Sequence, residues 1–328
     1  MRKALQLIVG IAVSAACLYL ATRGTDWPAV RGALAGADPR WAALVLLVAA
    51  VNLTVRSARW VQLLRPLGAA RFAAALSATA VGNAATAVLP LRLGELVRPA
   101  LLARRCALRM APVLATVVVE RLFDLLFILL SFFALSLLYP LPAAVSAGAR
   151  GLAAAGTGGM AALVVAQYWR PTVDGWLRAL LGRLPAWLGE RLAAIAFGLL
   201  DGCRGLADPR TVLRVSALSA LQWALVSLLF LCCLLALGIA APLLPAALAT
   251  TVLVAAFVFL PQAPGFVGTW QAGCVVALDL FDVPRDLAVS YSLLSWLLAM
   301  LFNVGVGGLF LVGARRARPE DRRGPQSR

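Results

Sequence analysis

No histidine occurs among the 328 residues. That absence removes histidine general bases, Ser-His-Asp triads and HExxH zinc sites together, and with them most familiar hydrolases. Lysine occurs once, as Lys3, so the formal net charge of +16 rests on arginine. Charged residues of both signs make up only 13% of the chain against 62% apolar, with a mean hydropathy of +0.90. No soluble fold can divide such a composition between a core and a wetted surface, so the solvent implied is a membrane. The six cysteines show no CxxC spacing, and Cys17, Cys232, Cys233 and Cys274 lie within apolar segments. They read as small packing residues, with no metal implied. No nucleotide-binding P-loop is present, so ATP is not the expected energy source and no cofactor is expected.

What is there is a series of apolar runs. They cover roughly 5 to 20, 41 to 55, 72 to 90, 110 to 139, 151 to 168, 211 to 237, 242 to 260, 270 to 281 and 287 to 312. At about 20 apolar residues per crossing, this length holds six to eight crossings of an all-α membrane protein. The first run follows Arg2-Lys3 as a signal peptide would, but continues past Cys17 to Ala21 and is expected to stay as a helix. The runs at 72 to 104 and 242 to 281 are broken, by Pro90 with the polar stretch Arg92 to Arg98, and by Pro261 to Gly268. Residues 270 to 281 are too few to span alone. Irregular backbone at such depth is tolerated where it is buried in protein or lines a wet cavity. The expected fold is therefore about six full crossings plus two re-entrant helical hairpins, with eight plain crossings as the alternative.

Arginine placement orients that arrangement. With two hairpins, both termini and the loops at 56 to 71, 104 to 109 and 169 to 210 share one side and hold about 21 of the 30 positive charges. Arg23, Arg31, Arg40, Arg150 and Arg285 fall opposite. The rich side is expected to be cytoplasmic. Arginines at the ends of apolar segments act as topology anchors, so no nucleic acid is expected as a partner. Within 169 to 210, residues 186 to 204 place Leu188, Leu192, Ile195 and Leu199 on one helical face and Glu190, Asp201 and Arg204 on the other. Such a helix lies in the membrane interface or packs under the bundle. The chain reads as one transmembrane domain over 1–314, followed by a short basic tail, 315–328, expected to be disordered.

Three charges stand where an ionised side chain costs at least about 2.5 to 3.5 kcal/mol: Glu120, Arg121 and Asp124, inside the 110 to 139 run. Thr116, Glu120, Asp124 and Ser131 share one helical face, as do Thr79, Asn83 and Thr86 in the 72 to 90 run. Arg92, Glu95 and Arg98 recur every third residue, which puts the carboxylate between two guanidiniums if that stretch is helical. These charges either lock the packing as buried salt bridges or line a path for a polar head group or a proton. At the second break, a half-helix starting near Thr269 would present its amide donors and dipole to an anion, with Thr269 as its N-cap.

These residues carry a resemblance. Asn83 with Leu89 to Arg98, then Val119-Glu120-Arg121-Leu122-Phe123-Asp124, then Pro261 with Pro264-Gly265 and Gly268, resemble in order the transmembrane, flippase-like region of lysylphosphatidylglycerol synthases and its stand-alone relatives. The resemblance covers nearly the whole chain. It implies a bundle with two re-entrant elements that moves lipids, such as aminoacylated phosphatidylglycerol or polyprenyl-linked sugars, between leaflets. The synthases' aminoacyl-transferase domain is not among these residues, so lipid aminoacylation is not expected. The chain departs from the family pattern in the second hairpin, where the usual PGG is Pro264-Gly265-Phe266 and the usual glutamate is Gln271. It departs again where an arginine of the last helix is replaced near Trp296.

The function expected is movement of a phospholipid or polyprenyl-linked head group between leaflets of a bacterial cytoplasmic membrane, by a transporter and not an enzyme. The candidate substrate-binding residues are Asn83, Arg92, Glu95, Arg98, Glu120, Arg121, Asp124, Gly265, Gly268, Thr269 and Gln271. Arg92 and Arg98 would hold a phosphate. Glu95, Glu120 and Asp124 would balance the arginines, receive a cationic head group or carry a proton. The expected partners are membrane lipids and a separate lipid-modifying enzyme. Two rival functions are an intramembrane transferase using Glu120 and Asp124, and a scaffold subunit of a lipid or glycan pathway.

Overall fold

The computed structural model describes residues 2–68, 70–89, 94–141, 143–202, 204–260 and 262–316, among which there are helices and turns but no strand. In chain order the helices are α1 (Arg2–Thr22), α2 (Trp27–Ala35), α3 (Pro39–Leu64), α4 (Phe72–Val88), α5 (Gly94–Arg105), α6 (Met110–Leu138) and α7 (Ala143–Tyr168). They continue as α8 (Arg170–Leu181), α9 (Ala186–Gly202), α10 (Pro209–Ala236), α11 (Leu243–Val258), α12 (Thr269–Asp279) and α13 (Arg285–Arg316). The starts of α3 and α10 are written in Asp-Pro pairs, an N-cap followed by a residue whose missing N–H costs a first turn nothing. Asp38 accepts from the Arg40 amide at 2.8 Å. Asp208 accepts from the Thr211 hydroxyl at 2.7 Å and from the Arg210 and Thr211 amides at 3.1 Å. Those bonds, the hydroxyl's most of all, hold its carboxyl below the usual range.

Residues 39–67, 209–236 and 285–313 form helices long and apolar enough to cross a membrane. At about 1.5 Å per residue each exceeds the roughly 30 Å hydrocarbon core. Their outer faces leave Leu47 at 61%, Leu213 at 71% and Leu309 at 74% exposed, which suits lipid and not water. The protein is an all-α polytopic membrane protein.

Contacts sort the chain's turns into two ends of the bundle. At one end the Arg285 guanidinium donates to the Leu20 and Ala21 carbonyls, the Asp38 amide to Ala236, and the Tyr139 hydroxyl to Leu280. At the other, Pro66, Leu67, Leu108, Arg109, Asp201 and Arg204 line a small cleft. Helices α3 and α10 lie side by side and antiparallel, with Asp38 beside Ala236 and Arg59 beside Ser219. Two pairs of shorter helices fold back on themselves. Ala75 of α4 and Leu102 of α5 pack with Leu64 and Val113 at the second end, while Ala246 of α11 and Leu278 of α12 pack with Ala236 and Ile239 at the first. These two helical hairpins point toward each other, and α4 packs on the turn at 264–266.

Glycine permits a close approach inside the first hairpin and another between the second bend and α1. A Cβ on Gly94 would overlap Thr86 and the Gly82 carbonyl, so α5 rests directly on α4. Gly268, at φ +86°, lies against the backbone of Ser14 in α1.

Three expectations change. Residues 56 to 64 are not loop: Leu53, Trp60, Leu63 and Leu64 carry α3 onward as buried residues, and Arg56 and Arg59 go inside with it. Thr269 is not an N-cap, since Gly268 holds that position and Thr269 is the first helical residue. Helix α13 continues to Arg316, two residues into the expected tail. The rest of that tail, with Pro90, Arg92, Cys203 and Pro261, lies outside the described residues. The amphipathic segment forms α9, which packs on α6 and α8, with Glu190 exposed and Asp201 paired to Arg170 at 2.8 Å. The side chains of Ile195 and Leu199 fall outside the described part.

Candidate functional site

Helices α3, α5 and α6 bring a charge cluster together, with neutral partners on α4 and α10. Glu120, on α6, is fully buried and surrounded by guanidiniums: Arg98 of α5 at 2.8 Å, Arg59 of α3 at 2.9 Å and Arg56 of α3 at 3.3 Å. One turn further along α6, Asp124 takes Arg59 at 2.8 Å, Arg121 at 3.3 Å and the Trp223 indole N–H of α10 at 3.3 Å. Arg59 thus bridges both carboxylates, and it also donates to the Ser219 hydroxyl at 3.1 Å. Arg98 stacks on the Trp60 ring, 3.9 Å from its centroid, and donates to Thr79 at 3.1 Å. Trp60 in turn donates to Thr116 at 3.0 Å. Arg56 reaches Asn83 of α4 at 3.4 Å. Burying these ions is offset only because each is paired.

The cluster has two faces. Glu120 and Arg59 are sealed from solvent, and Arg98 nearly so, whereas the Arg56 and Arg121 side chains are 23% and 31% exposed. On the open side lies a cavity of about 330 Å³. One end is polar, lined by Asn52, Arg56, Asn83, Arg121, Asp124 and Gln222. The other is mainly apolar, lined among others by Val45, Leu229, Phe230, Val254 and Leu298, while Thr251 and Ser295 beside them are bonded to Ser227 and Trp270. The antiparallel run of α3 and α10 orders this gradient. From Val45 to Arg56 on one helix, and from Cys233 back to Gln222 on the other, is eleven residues, about 16 Å. A second cavity of about 440 Å³, almost wholly apolar, lies between α6, α10 and α11 and is lined by Phe127, Leu130, Leu228 and Leu248. Trp223 lines both cavities.

A family model, that of the lysylphosphatidylglycerol synthase TM region, matches residues 7–307. The chain belongs to this family. No curated protein sequence matches it. Membership and the apolar helices together place the protein in a membrane and in the company of lipid-related proteins.

Of the family-motif residues expected at the site, Asn83, Arg121 and Asp124 line the first cavity, and Arg98 and Glu120 stand behind its wall. Glu95 is half-buried on α5, within electrostatic reach of Arg121. The second hairpin is separate. Gln271 is buried and accepts the Gly268 amide at 2.7 Å, and the Thr269 hydroxyl bonds Gln262 at 2.5 Å and the Phe266 carbonyl at 3.1 Å. Gly265 lends its carbonyl to the Trp296 indole N–H at 2.6 Å. The polar groups of this bend close the bend, and none of these residues lines the first cavity. Trp270, next to Thr269, does line it.

Residues that sequence reasoning passed over are Asn52, Arg56, Arg59, Gln222 and Trp223. A signal existed for the first three, because 52, 56 and 59 fall at i, i+4 and i+7 on one face of a helix. Gln222 and Trp223 sit in a run with no charge nearby, and nothing in their spacing marks them. Among the described residues no group of acids and cysteines is placed to hold a metal ion.

Proposed function

We propose that the protein moves an amphiphile between the leaflets of a bacterial cytoplasmic membrane, carrying a phospholipid or polyprenyl-linked head group through the polar cavity while the chains stay in an apolar environment. The observation that carries this reading is the gradient of the first cavity, polar against the arginine cluster and apolar about 16 Å away, with an apolar cavity across Trp223. A chamber of this kind matches an amphiphile at both ends, and a soluble polar substrate at one end only. Arg56 and Arg121 face the head group, while Glu120, Arg59 and Arg98 hold the helices that present them. Glu120 and Asp124 have the role of balancing arginines, since guanidiniums occupy both carboxylates.

In this reading the two hairpins are re-entrant and their bends meet near the bilayer midplane, an arrangement that suits an alternating-access site. The arginine-rich end is cytoplasmic, with both termini and the 169 to 210 connection. The packing of the described helices on one another supports a single transmembrane domain over 1–314. The protein acts on membrane lipids supplied by a separate lipid-modifying enzyme, and makes no new compound itself.

The test is reconstitution into vesicles carrying a leaflet-reporting lipid. Faster exchange between leaflets with the intact protein, slowed by Arg121→Gln, is the expected result. Folded protein that exchanges no phospholipid or polyprenyl-linked reporter, or that turns one into a new product in detergent, overturns the proposal.

A further inference from the structure

The polar end of the chamber is specific about what it can take. Four guanidiniums, those of Arg56, Arg59, Arg98 and Arg121, face two carboxylates, Glu120 and Asp124, and with Glu95 within electrostatic reach of Arg121 the formal charge left is 4 − 3 = +1 among the described residues. Neither Glu120 nor Asp124 is left over. Glu120 has both oxygens on Arg98, and one also on Arg59 and Arg56. Asp124 has one oxygen on Arg59 and Trp223 and the other on Arg121. An ammonium entering here would meet a net like charge, with only neutral carboxamides left to accept from it.

What does lack a partner is of another kind. The Arg121 Nε–H donor is buried and unbonded, and so are the amide oxygens of Asn52 and Gln222, all on residues that line the chamber. Gln222 is 95% buried, so its oxygen can be compensated only by what enters the chamber. Asn83 and Asn303 add two further carboxamides to the same lining. A free guanidinium donor with positive excess calls for a phosphate oxygen. Carboxamide oxygens without donors call for a donor, and beside a positive excess the neutral hydroxyl, which can give and accept in one place, suits them better than an ammonium.

We infer that the head group this chamber takes is an anionic phosphate ester whose other substituent carries hydroxyls and no amine. This inference rests on the transport reading above for its lipid, and on the donor and acceptor inventory for its head. Arg121 and Arg56 hold the phosphate, and Asn52 and Gln222 take the hydroxyls. Two lipid types supply that chemistry: a diacyl phosphoglycerol and an isoprenoid sugar phosphate. An aminoacyl ester of phosphatidylglycerol is the head group the chamber turns away.

Binding separates the inference from the transport reading. Purified full-length protein in detergent is titrated with chain-labelled phosphatidylglycerol, chain-labelled isoprenyl phosphate hexose and chain-labelled lysyl-phosphatidylglycerol. Both hydroxylated phosphates are expected to bind at least about tenfold more tightly than the lysyl ester, a difference of about 1.4 kcal/mol. Whichever of the two leads identifies the lipid. Gln222→Leu, nearly isosteric and leaving the arginines intact, should weaken both hydroxylated lipids and leave the lysyl ester where it was. Lysyl ester bound as tightly as the others, or more tightly, overturns the inference. The expected binding order without movement between leaflets upholds it while overturning the transport reading.

Discussion

Arg98 Nη1 lies 2.9 and 2.8 Å from the two carboxylate oxygens of Glu120, twenty-two residues away in the chain, and both side chains are buried. That single contact fastens the first hairpin to α6, and Arg59 fastens α3 to the same carboxylate. Replacing Glu120 by glutamine removes the charge common to three arginines. A water-filled path would let solvent cover the orphaned guanidiniums, but Glu120 and Arg59 are sealed from it. Glu120→Gln should therefore lose about 3 to 5 kcal/mol of stability. Fluorescence-detected gel filtration against temperature measures it, and an unchanged melting temperature contradicts the assignment of Glu120 to the frame.

Arg121 should behave in the opposite way. Its side chain is 31% exposed to the chamber, and Asp124 keeps Arg59 at 2.8 Å and Trp223 at 3.3 Å without it. Arg121→Gln is expected to cost under about 1 kcal/mol in folding. A charge-assisted bond to a phosphate is worth about 1.5 to 3 kcal/mol, so lipid affinity should fall by at least about tenfold. Loss of fold with unchanged affinity in the surviving protein would show that the two residues' roles are reversed.

The contrast between these two residues marks how far the sequence could be read. Glu120 and Asp124 declare themselves, because acids four apart in an apolar run must face a protein interior. Arg59 does not, since an arginine just past an apolar run is equally good as a topology anchor. What distinguishes it is the helix continuing through Trp60, Leu63 and Leu64, all buried, and that needs the tertiary partners to be seen. That the helices break between α4 and α5 and between α11 and α12 was legible from Pro90 and from Pro261 to Gly268, because proline and glycine act locally. Which side of the second bend faces the chamber was not. Thr269 and Gln271 suggested a ligand site, yet their hydrogen bonds go to Gln262, Phe266 and Gly268, so Trp270 is the residue that looks inward.

The second bend has its own test. Gly268 combines φ +86° with a backbone contact that leaves no room for a Cβ beside Ser14. Gly268→Ala should destabilise by at least about 1 kcal/mol through the backbone alone, and push α1 off the bend as well. Gly158→Ala in α7, where a Cβ meets nothing within 4 Å, is the control and should not lower the melting temperature. Increased labelling of a cysteine placed at Gln262, near Gly10 of α1, would report the loosened contact. Equal melting temperatures for the two variants contradict the packing of α1 on this bend.

Orientation in the membrane is the remaining prediction, and the two ends of the bundle make it sharp. Arg178 on α8 belongs to the arginine-rich end, and Arg31 on α2 to the end where Arg285 meets Leu20. By the positive-inside rule, a single cysteine at Arg178 should be labelled only after cells are opened, and one at Arg31 in intact cells. The hairpins add a second measurement. Cysteines at Val88, at the end of α4, and Phe266, in the turn that α4 packs against, belong to bends that enter from opposite ends yet touch. A short bifunctional reagent should join them, and quenchers on lipid chains should place both near the midplane. Two plain crossings in each region would instead carry one residue of the pair toward a head-group layer, about 15 Å from the centre of a 30 Å core. Failure to cross-link, with the two labels at different depths, would leave the contact between the bends without support and remove the re-entrant arrangement on which the transport reading depends.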